Sequence, residues 1–337
     1  MDWFEKLTGF RETSYAETRA RLVVEGSRLR SLMNGASYEV GELELASLQS
    51  LRERAKSAGG MPGRLKASVV TGDVRRMHRS PDNAGVLFQV ASQFNLLEMV
   101  SPEVTPEQGV TRYESDPTQG PACAIAAGAA TVYRNYFAPV GGGQGQTAKR
   151  QIDGLADLGE TLSRELNMPV GDLWRMQNGY ALATQPGLDA IARHLRMLAI
   201  DQLDSLRAKL CIGLHRDVEV TDAAGRDRLL VSQAFCSALP VAYSRVPPSH
   251  WEPFALLVLE ASYEATMWAT VLNAQRGASN VVFLTLLGGG AFGNHSSWIH
   301  AAIQRALTLM RSYEIDVKLV SYGAPSKETL AIVEEFG

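Results

Sequence analysis

Residues 280–300 read NVVFLTLLGGGAFGNHSSWIH: an apolar run, three consecutive glycines, then the start of a helix. Glycine, lacking a β-carbon, lets backbone N–H groups come close to a ligand. A helix start adds unpaired N–H groups and the positive end of the helix dipole. Gly288, Gly289, Gly290, Ala291, Phe292, Gly293 and Asn294 therefore read as a cradle for phosphate or pyrophosphate. The plainer alternative is a tight turn between packed elements. Ser296 or Ser297 is expected to cap the following helix. Carboxylates gather in a second place. Residues 101–121 carry Glu107, Glu114 and Asp116, the last directly before Pro117-Thr118-Gln119-Gly120-Pro121. A carboxylate can orient or deprotonate an attacking water and stabilise positive charge that develops beside it. Asp153 and Asp157 are further candidates, with helix surface charge the preferred reading. His215, Asp217 and Glu219 alternate on a predicted strand and so share a face. That face reads as solvated before it reads as a metal site. His295 and His300 lack i, i+4 spacing, and Cys236 reads as a buried strand residue. No cofactor and no resident metal is expected.

The elements that must position these groups alternate between strand and helix. Lys66 to Gly72, Gly85 to Ser92, Val281 to Leu286 and Val317 to Tyr322 are predicted strands. The run in 281–286 is nearly all apolar, as in a strand buried on both faces. Leu210–Val220 and Leu229–Ala238 suit a strand pair joined at Ala223-Ala224-Gly225. A helix of small residues is expected from Pro121 to about Phe137, and a long one from Pro253 to Asn273, Pro being tolerated near a helix start. Tyr15–Leu32 and Val40–Ala58 carry apolar residues at three and four spacing among Arg and Glu, predicting an N-terminal helical cap over 1–60. Residues 61–337 form the main domain, with a large insertion near 138–200 and a mobile Gly/Gln-rich stretch at 138–150. Strands followed by helices imply a three-layer α/β/α sandwich with a mixed sheet.

Composition narrows the function. The chain has 337 residues, 45% hydrophobic and 20% charged, enough for a large core. Its net charge of -3 gives no support to bulk nucleic-acid binding. Three widely spaced cysteines fit a reducing compartment such as the cytoplasm. The charged N-terminus has no apolar signal region, and no apolar stretch reaches membrane-spanning length. Neither a nucleic acid nor a membrane is expected as partner.

Three segments fall at predicted strand ends: Thr71-Gly72-Asp73-Val74, Ser92-Gln93-Phe94-Asn95 and Gly288–Asn294. Together they resemble the macrodomain family of ADP-ribose-binding modules, over roughly residues 64–322. The resemblance implies that Asp73, with Val74, binds the adenine amino group. It implies that Asn95 faces the distal ribose and that the late glycine loop holds the pyrophosphate, with Phe292 stacked on the ribose side. The longer loop Ser101–Pro121 looks more like the large poly(ADP-ribose) glycohydrolase branch, although its Q-E-E signature is absent here. On this reading the ligand is ADP-ribose and the substrate a mono-ADP-ribosylated protein. Hydrolysis occurs at ribose C1″, with Asp116, Glu114 and Asn95 as the catalytic candidates. Gln93, Thr118, Gln119 and Gly120 would complete the ligand site. A non-catalytic ADP-ribose reader would have the same pocket. Gly288-x-Gly290-x-x-Gly293 also matches a dinucleotide fingerprint, but the next strand ends Val320-Ser321-Tyr322-Gly323 without the required acid.

Overall fold

The computed structural model describes residues 1–59, 61–223 and 228–337. Seven strands form one mixed sheet: β1 (Glu42–Ser47), β2 (Lys66–Thr71), β3 (Leu87–Ala91), β4 (Cys211–Glu219), β5 (Leu230–Cys236), β6 (Val281–Leu284) and β7 (Asp316–Ser321). Their spatial order is β1-β4-β5-β3-β6-β7-β2. β4 pairs antiparallel with β1 and β5, while β5, β3, β6, β7 and β2 run parallel. The central strands β3 and β6 are the most apolar and almost wholly buried, as helices on both faces require.

Alternation along β3 sends Leu87 to one face and Phe88 to the other. The Leu87 side packs under α1 (Leu48–Ser57), α5 (Pro248–Gln275), α6 (Ser296–Leu309) and α7 (Lys327–Phe336). The Phe88 side packs under α2 (Val74–His78), α3 (Gln119–Ala126) and α4 (Gly128–Tyr136). The expected three-layer α/β/α sandwich is thus present. Part of the predicted turn between β4 and β5, Ala224-Gly225, lies outside the described residues. Among the described residues, no helix is long and apolar enough to cross a membrane.

The N-terminal segment differs from its helical expectation. Two six-residue helices, Trp3–Thr8 and Tyr15–Ala20, precede an antiparallel meander of Leu22–Glu25, Arg28–Ser31 and Ser37–Glu39. β1 then joins the edge of the main sheet. The reason is a two-residue period hidden in the charged sequence: along Arg28-Leu29-Arg30-Ser31, Leu29 and Ser31 are buried and the arginines lie half out. The segment expected as an insertion holds the helices Ala156–Leu166 and Gln185–Met197 and the hairpin Trp174–Gln177/Tyr180–Ala183. Leu158, Leu162, Trp174, Leu188 and Ile191 share the core under α5, with the Trp174 ring 5.3 Å from Phe254. The Gly/Gln-rich stretch is anchored where mobility was expected. Gln146 is fully buried, donates to Asn95 O and Arg134 O, and accepts from Ile152 N–H.

Candidate functional site

A cavity of about 420 Å³ opens at the carboxyl ends of β3, β5 and β6. That edge is where open parallel sheets bind ligands, and the volume lies within the roughly 300–1,000 Å³ of small-molecule sites. Its walls come from Ala91–Gln93 and Glu98–Val100 after β3, from Ser115–Pro121 leading into α3, and from Thr285–Gly288 and Gly290–Phe292 after β6. Tyr180 of the Trp174–Ala183 hairpin and Tyr243 complete an aromatic side with Phe292, their ring centroids 5.1 to 5.7 Å apart.

The glycine loop turns back on itself. Gly293 N–H donates to Gly290 O at 3.0 Å and Asn294 N–H to Gly288 O at 2.9 Å. Among the described residues, the N–H groups of Gly290, Ala291 and Phe292 enter none of the loop's hydrogen bonds. Gly288 has φ +76°, and a β-carbon there would strike the Ala238 side chain, so glycine is required twice over. The space beside Gly290 is open. Asn294 pins the loop by donating to Leu239 O at 2.8 Å. His295, in place of either serine, caps α6, its Nδ1 accepting from Ser297 N–H.

The start of α3 is tied to the sheet by Gln119. Its Oε1 accepts from Ala91 N–H and its Nε2 donates to Gln89 O, both at 2.9 Å, so the amide continues the pairing of β3. Asp116 Oδ1 accepts from Thr118 N–H at 2.9 Å, fixing the turn before the helix. A β-carbon on Gly120 would collide with Ala91 O and with Glu98 Oε2.

Glu98 is the group that the sequence reading missed. It is 4% exposed and lines the cavity, and Oε1 has no hydrogen-bond partner among the described residues. Its own N–H donates to Tyr113 Oη at 2.9 Å. Burial holds its carboxyl well above the usual carboxylate range; the Arg134 guanidinium works against this and Asp116 adds to it. Arg134 is itself buried, lies 3.9 Å from the Phe235 ring centroid, and is brought below the usual guanidinium range by burial. The bend that delivers Glu98 is strained: Leu96 holds φ +63°, a conformation that costs an ordinary residue on the order of 1–3 kcal/mol. An acid inside the apolar run Leu96-Leu97-Glu98-Met99 was the available signal.

Nine of the expected site residues meet at this cavity: Gln93, Asp116, Thr118, Gln119, Gly120, Gly288, Gly290, Ala291 and Phe292. Gly289, Gly293 and Asn294 belong to the loop but stand behind its cavity side. Asn95 does not face the cavity. It is fully buried, its Oδ1 accepts from Leu97 N–H, and its Nδ2 donates to Gln151 Oε1. Gln151 donates on to Asn178 Oδ1, and Asn178 to Pro102 O, so Asn95 starts an amide chain that reaches the turn of the Trp174–Ala183 hairpin. Asp73 caps α2 by accepting from Arg75 N–H at 2.8 Å, and Val74 is buried beneath it; neither lines the cavity. Glu114 is exposed and borders a different groove, with Lys6, Arg75 and Asp222. The face expected from His215, Asp217 and Glu219 is not formed. A register shift between His215 and Val218 breaks the alternation, His215 is buried beside Arg134, and Asp217 pairs with Arg276. Cys236 is buried, its thiol pushed up to about 11 by burial.

No protein-family model matches the chain. No curated relative matches it either. Among solved structures it is similar to the poly(ADP-ribose) glycohydrolase from Thermomonospora curvata, at 13% identity and TM-score 0.44, covering 96% of each chain. It is also similar to the Deinococcus radiodurans poly(ADP-ribose) glycohydrolase in complex with ADP-ribose, at 12% identity and TM-score 0.44, covering 87% of this chain and 93% of that one. The apo form of the latter matches at 13% identity and TM-score 0.40, over 97% and 96%.

Proposed function

We propose that this chain is an ADP-ribosyl hydrolase that releases ADP-ribose from modified protein side chains by hydrolysis at ribose C1″. One observation carries the reading: a single cavity unites the glycine loop after β6, the start of α3 and the carboxylate of Asp116. The pyrophosphate lies over the N–H groups of Gly290, Ala291 and Phe292, which need no basic side chain to bind an anion. Phe292 lies against the ribose side, and Thr118, Gln119 and Gly120 border the distal ribose. Asp73 marks the adenine end at the neighbouring edge of the sheet, where β2 finishes. Asn95 serves the distal ribose indirectly, by holding the turn that carries Gln93 and Glu98.

The transition state of C1″ cleavage has oxocarbenium character. Asp116 takes a proton from the attacking water, and its charge stabilises the ring. Calorimetry with free ADP-ribose, followed by incubation with proteins carrying ADP-ribose on Arg, Glu, Asp or Ser, tests the proposal. Binding together with release from at least one linkage is expected. Binding without release from any linkage would instead make this chain a reader of ADP-ribose, and absence of binding would remove the ADP-ribose assignment altogether.

A further inference from the structure

The ionisable side chains lining the cavity are two carboxyl groups, Glu98 and Asp116, and two phenols, Tyr180 and Tyr243. The two carboxyl groups are not alike. Asp116 is half-buried, on a turn before α3, with one oxygen engaged by Thr118 N–H. Glu98 is buried, with Oε1 unpartnered among the described residues. An unpartnered buried polar atom costs on the order of 1–3 kcal/mol unless a partner arrives with the ligand. The cavity is also built around this carboxyl. Gly120 leaves room for Oε2, the strained Leu96 sets the bend, and Tyr113 Oη accepts from the Glu98 N–H.

We propose that Glu98 is the proton donor to the leaving atom, and that the cavity therefore serves ADP-ribose linked to a strongly basic atom, the guanidine of arginine, in preference to the carboxylate esters of glutamate and aspartate. This rests on the hydrolase reading above. The chemistry separates the two classes of linkage. A glutamate leaves as an anion whose conjugate acid has a pKa near about 4.3, and it needs no proton to depart. An arginine guanidine is far more strongly basic, and departs readily only as it is protonated. In the step, the C1″–N bond breaks with its electron pair going to nitrogen, which takes the proton from Glu98. Water oxygen bonds to C1″ and gives its proton to Asp116. The products are ADP-ribose and a free arginine guanidinium. Glu98 is then ionised and Asp116 protonated, and transfer of that proton through water restores both. Charge points the same way: the Asp116 carboxylate, joined by Glu98 once its proton is given up, attracts a guanidinium and repels a departing carboxylate.

The groups that bear on the Glu98 proton are Arg134 of α4, Asp116, Tyr113 and Cys123 of α3. Burial outweighs the opposing Arg134 charge and favours the protonated, proton-donating form of Glu98.

The test uses the full chain and two defined peptides, one ADP-ribosylated on arginine and one on glutamate. The wild type is expected to release ADP-ribose from the arginine peptide at least about tenfold faster. Glu98→Gln should slow the arginine reaction by about 100-fold or more, the usual scale of general acid help. It should slow the glutamate reaction far less and leave ADP-ribose affinity unchanged by calorimetry. Glu98→Asp, which keeps the acid, should recover part of the arginine rate and guards against a folding defect in the first variant. Equal slowing of both peptides would mean that Glu98 only shapes the pocket and would overturn the inference. So would a faster glutamate reaction in the wild type. In both of those outcomes the hydrolase reading survives. A wild type that binds ADP-ribose and cleaves neither peptide nor any other linkage removes both.

Discussion

Gly120 at the start of α3 and Glu98 in the loop after β3 touch so closely that a β-carbon on the first would collide with Oε2 of the second. The same β-carbon would strike Ala91 O, a backbone atom held in the sheet. Gly120→Ala therefore forces the helix start away from β3. Overpacking of this kind costs about 1–3 kcal/mol. Thermal unfolding should show a melting temperature several degrees below wild type, with slower ADP-ribose release as Glu98 is displaced. An unchanged melting temperature would mean that the loop yields without loss.

Gly290 offers the opposite case. Open space surrounds the position where a side chain would start. Gly290→Val should fold like the wild type and put its methyl groups beside the free N–H groups of the glycine loop. ADP-ribose affinity is expected to fall at least about tenfold, or about 1.4 kcal/mol, by calorimetry. Unchanged affinity in the folded variant would sink the pyrophosphate assignment.

Asp116 and Glu114 are two residues apart in sequence yet border different cavities. Asp116→Ala should keep ADP-ribose affinity and lose about 100-fold or more in turnover, since the lost group acts mainly in the transition state. Glu114→Ala should behave like the wild type in both assays. Steady-state release of ADP-ribose from a modified protein measures the difference, and a defect confined to Glu114→Ala would move the catalytic base there.

Asp73 carries a local duty as the cap of α2. Asp73→Ala should lower stability by about 0.5–2 kcal/mol, as loss of a cap does. If Asp73 also selects adenine, affinity for ADP-ribose falls while that for ribose 5-phosphate does not. Equal changes for both ligands would leave Asp73 as a cap alone.

Stability should also report on Glu98. Its folded-state pKa is raised above the ordinary glutamate value, so between the two values the folded chain holds more protons than the unfolded one. Folding stability from this group is therefore full below the unfolded pKa, about 4.3, and is lost as pH rises toward the folded pKa. Glu98→Gln, which cannot ionise, should gain stability relative to the wild type as pH rises above the ordinary glutamate value. Denaturant melts at a series of pH values check it; a stability difference that does not grow with pH would mean that burial does not raise the Glu98 carboxyl.

Much of the layered sheet was legible because buried parallel strands are nearly uniform in polarity. Val281–Leu284 and Leu87–Val90 could hardly be anything else. The glycine loop was legible for the complementary reason, that three glycines ahead of a helix need a backbone explanation. The N-terminal meander was hidden because arginines flank Leu29 on both sides, and three and four spacing can be read into a charged strand. Asn95 was misplaced because Gln93, close by in sequence, does reach the cavity while the amide of Asn95 turns toward Gln151. Glu98 was passed over because burial, the property that makes it chemical, belongs to the tertiary structure. Only the packing of Tyr113, Gly120 and Arg134 around it takes water away.

The Trp174–Ala183 hairpin has a bearing on how the chain comes together. Gly179 has φ +80°, and a β-carbon on it would press into Gln93 and Asn95. One residue later, Tyr180 donates to Met99 O at 2.5 Å. A segment more than 70 positions downstream thus clasps both sides of the bend that presents Glu98. The bend holds Leu96 in a strained conformation that this clasp helps to fix. Competence for the reaction should then arise late in folding, in the same cooperative step that docks the hairpin. A chain cut back to the seven strands and their flanking helices would bind loosely at best and would not regain the acid.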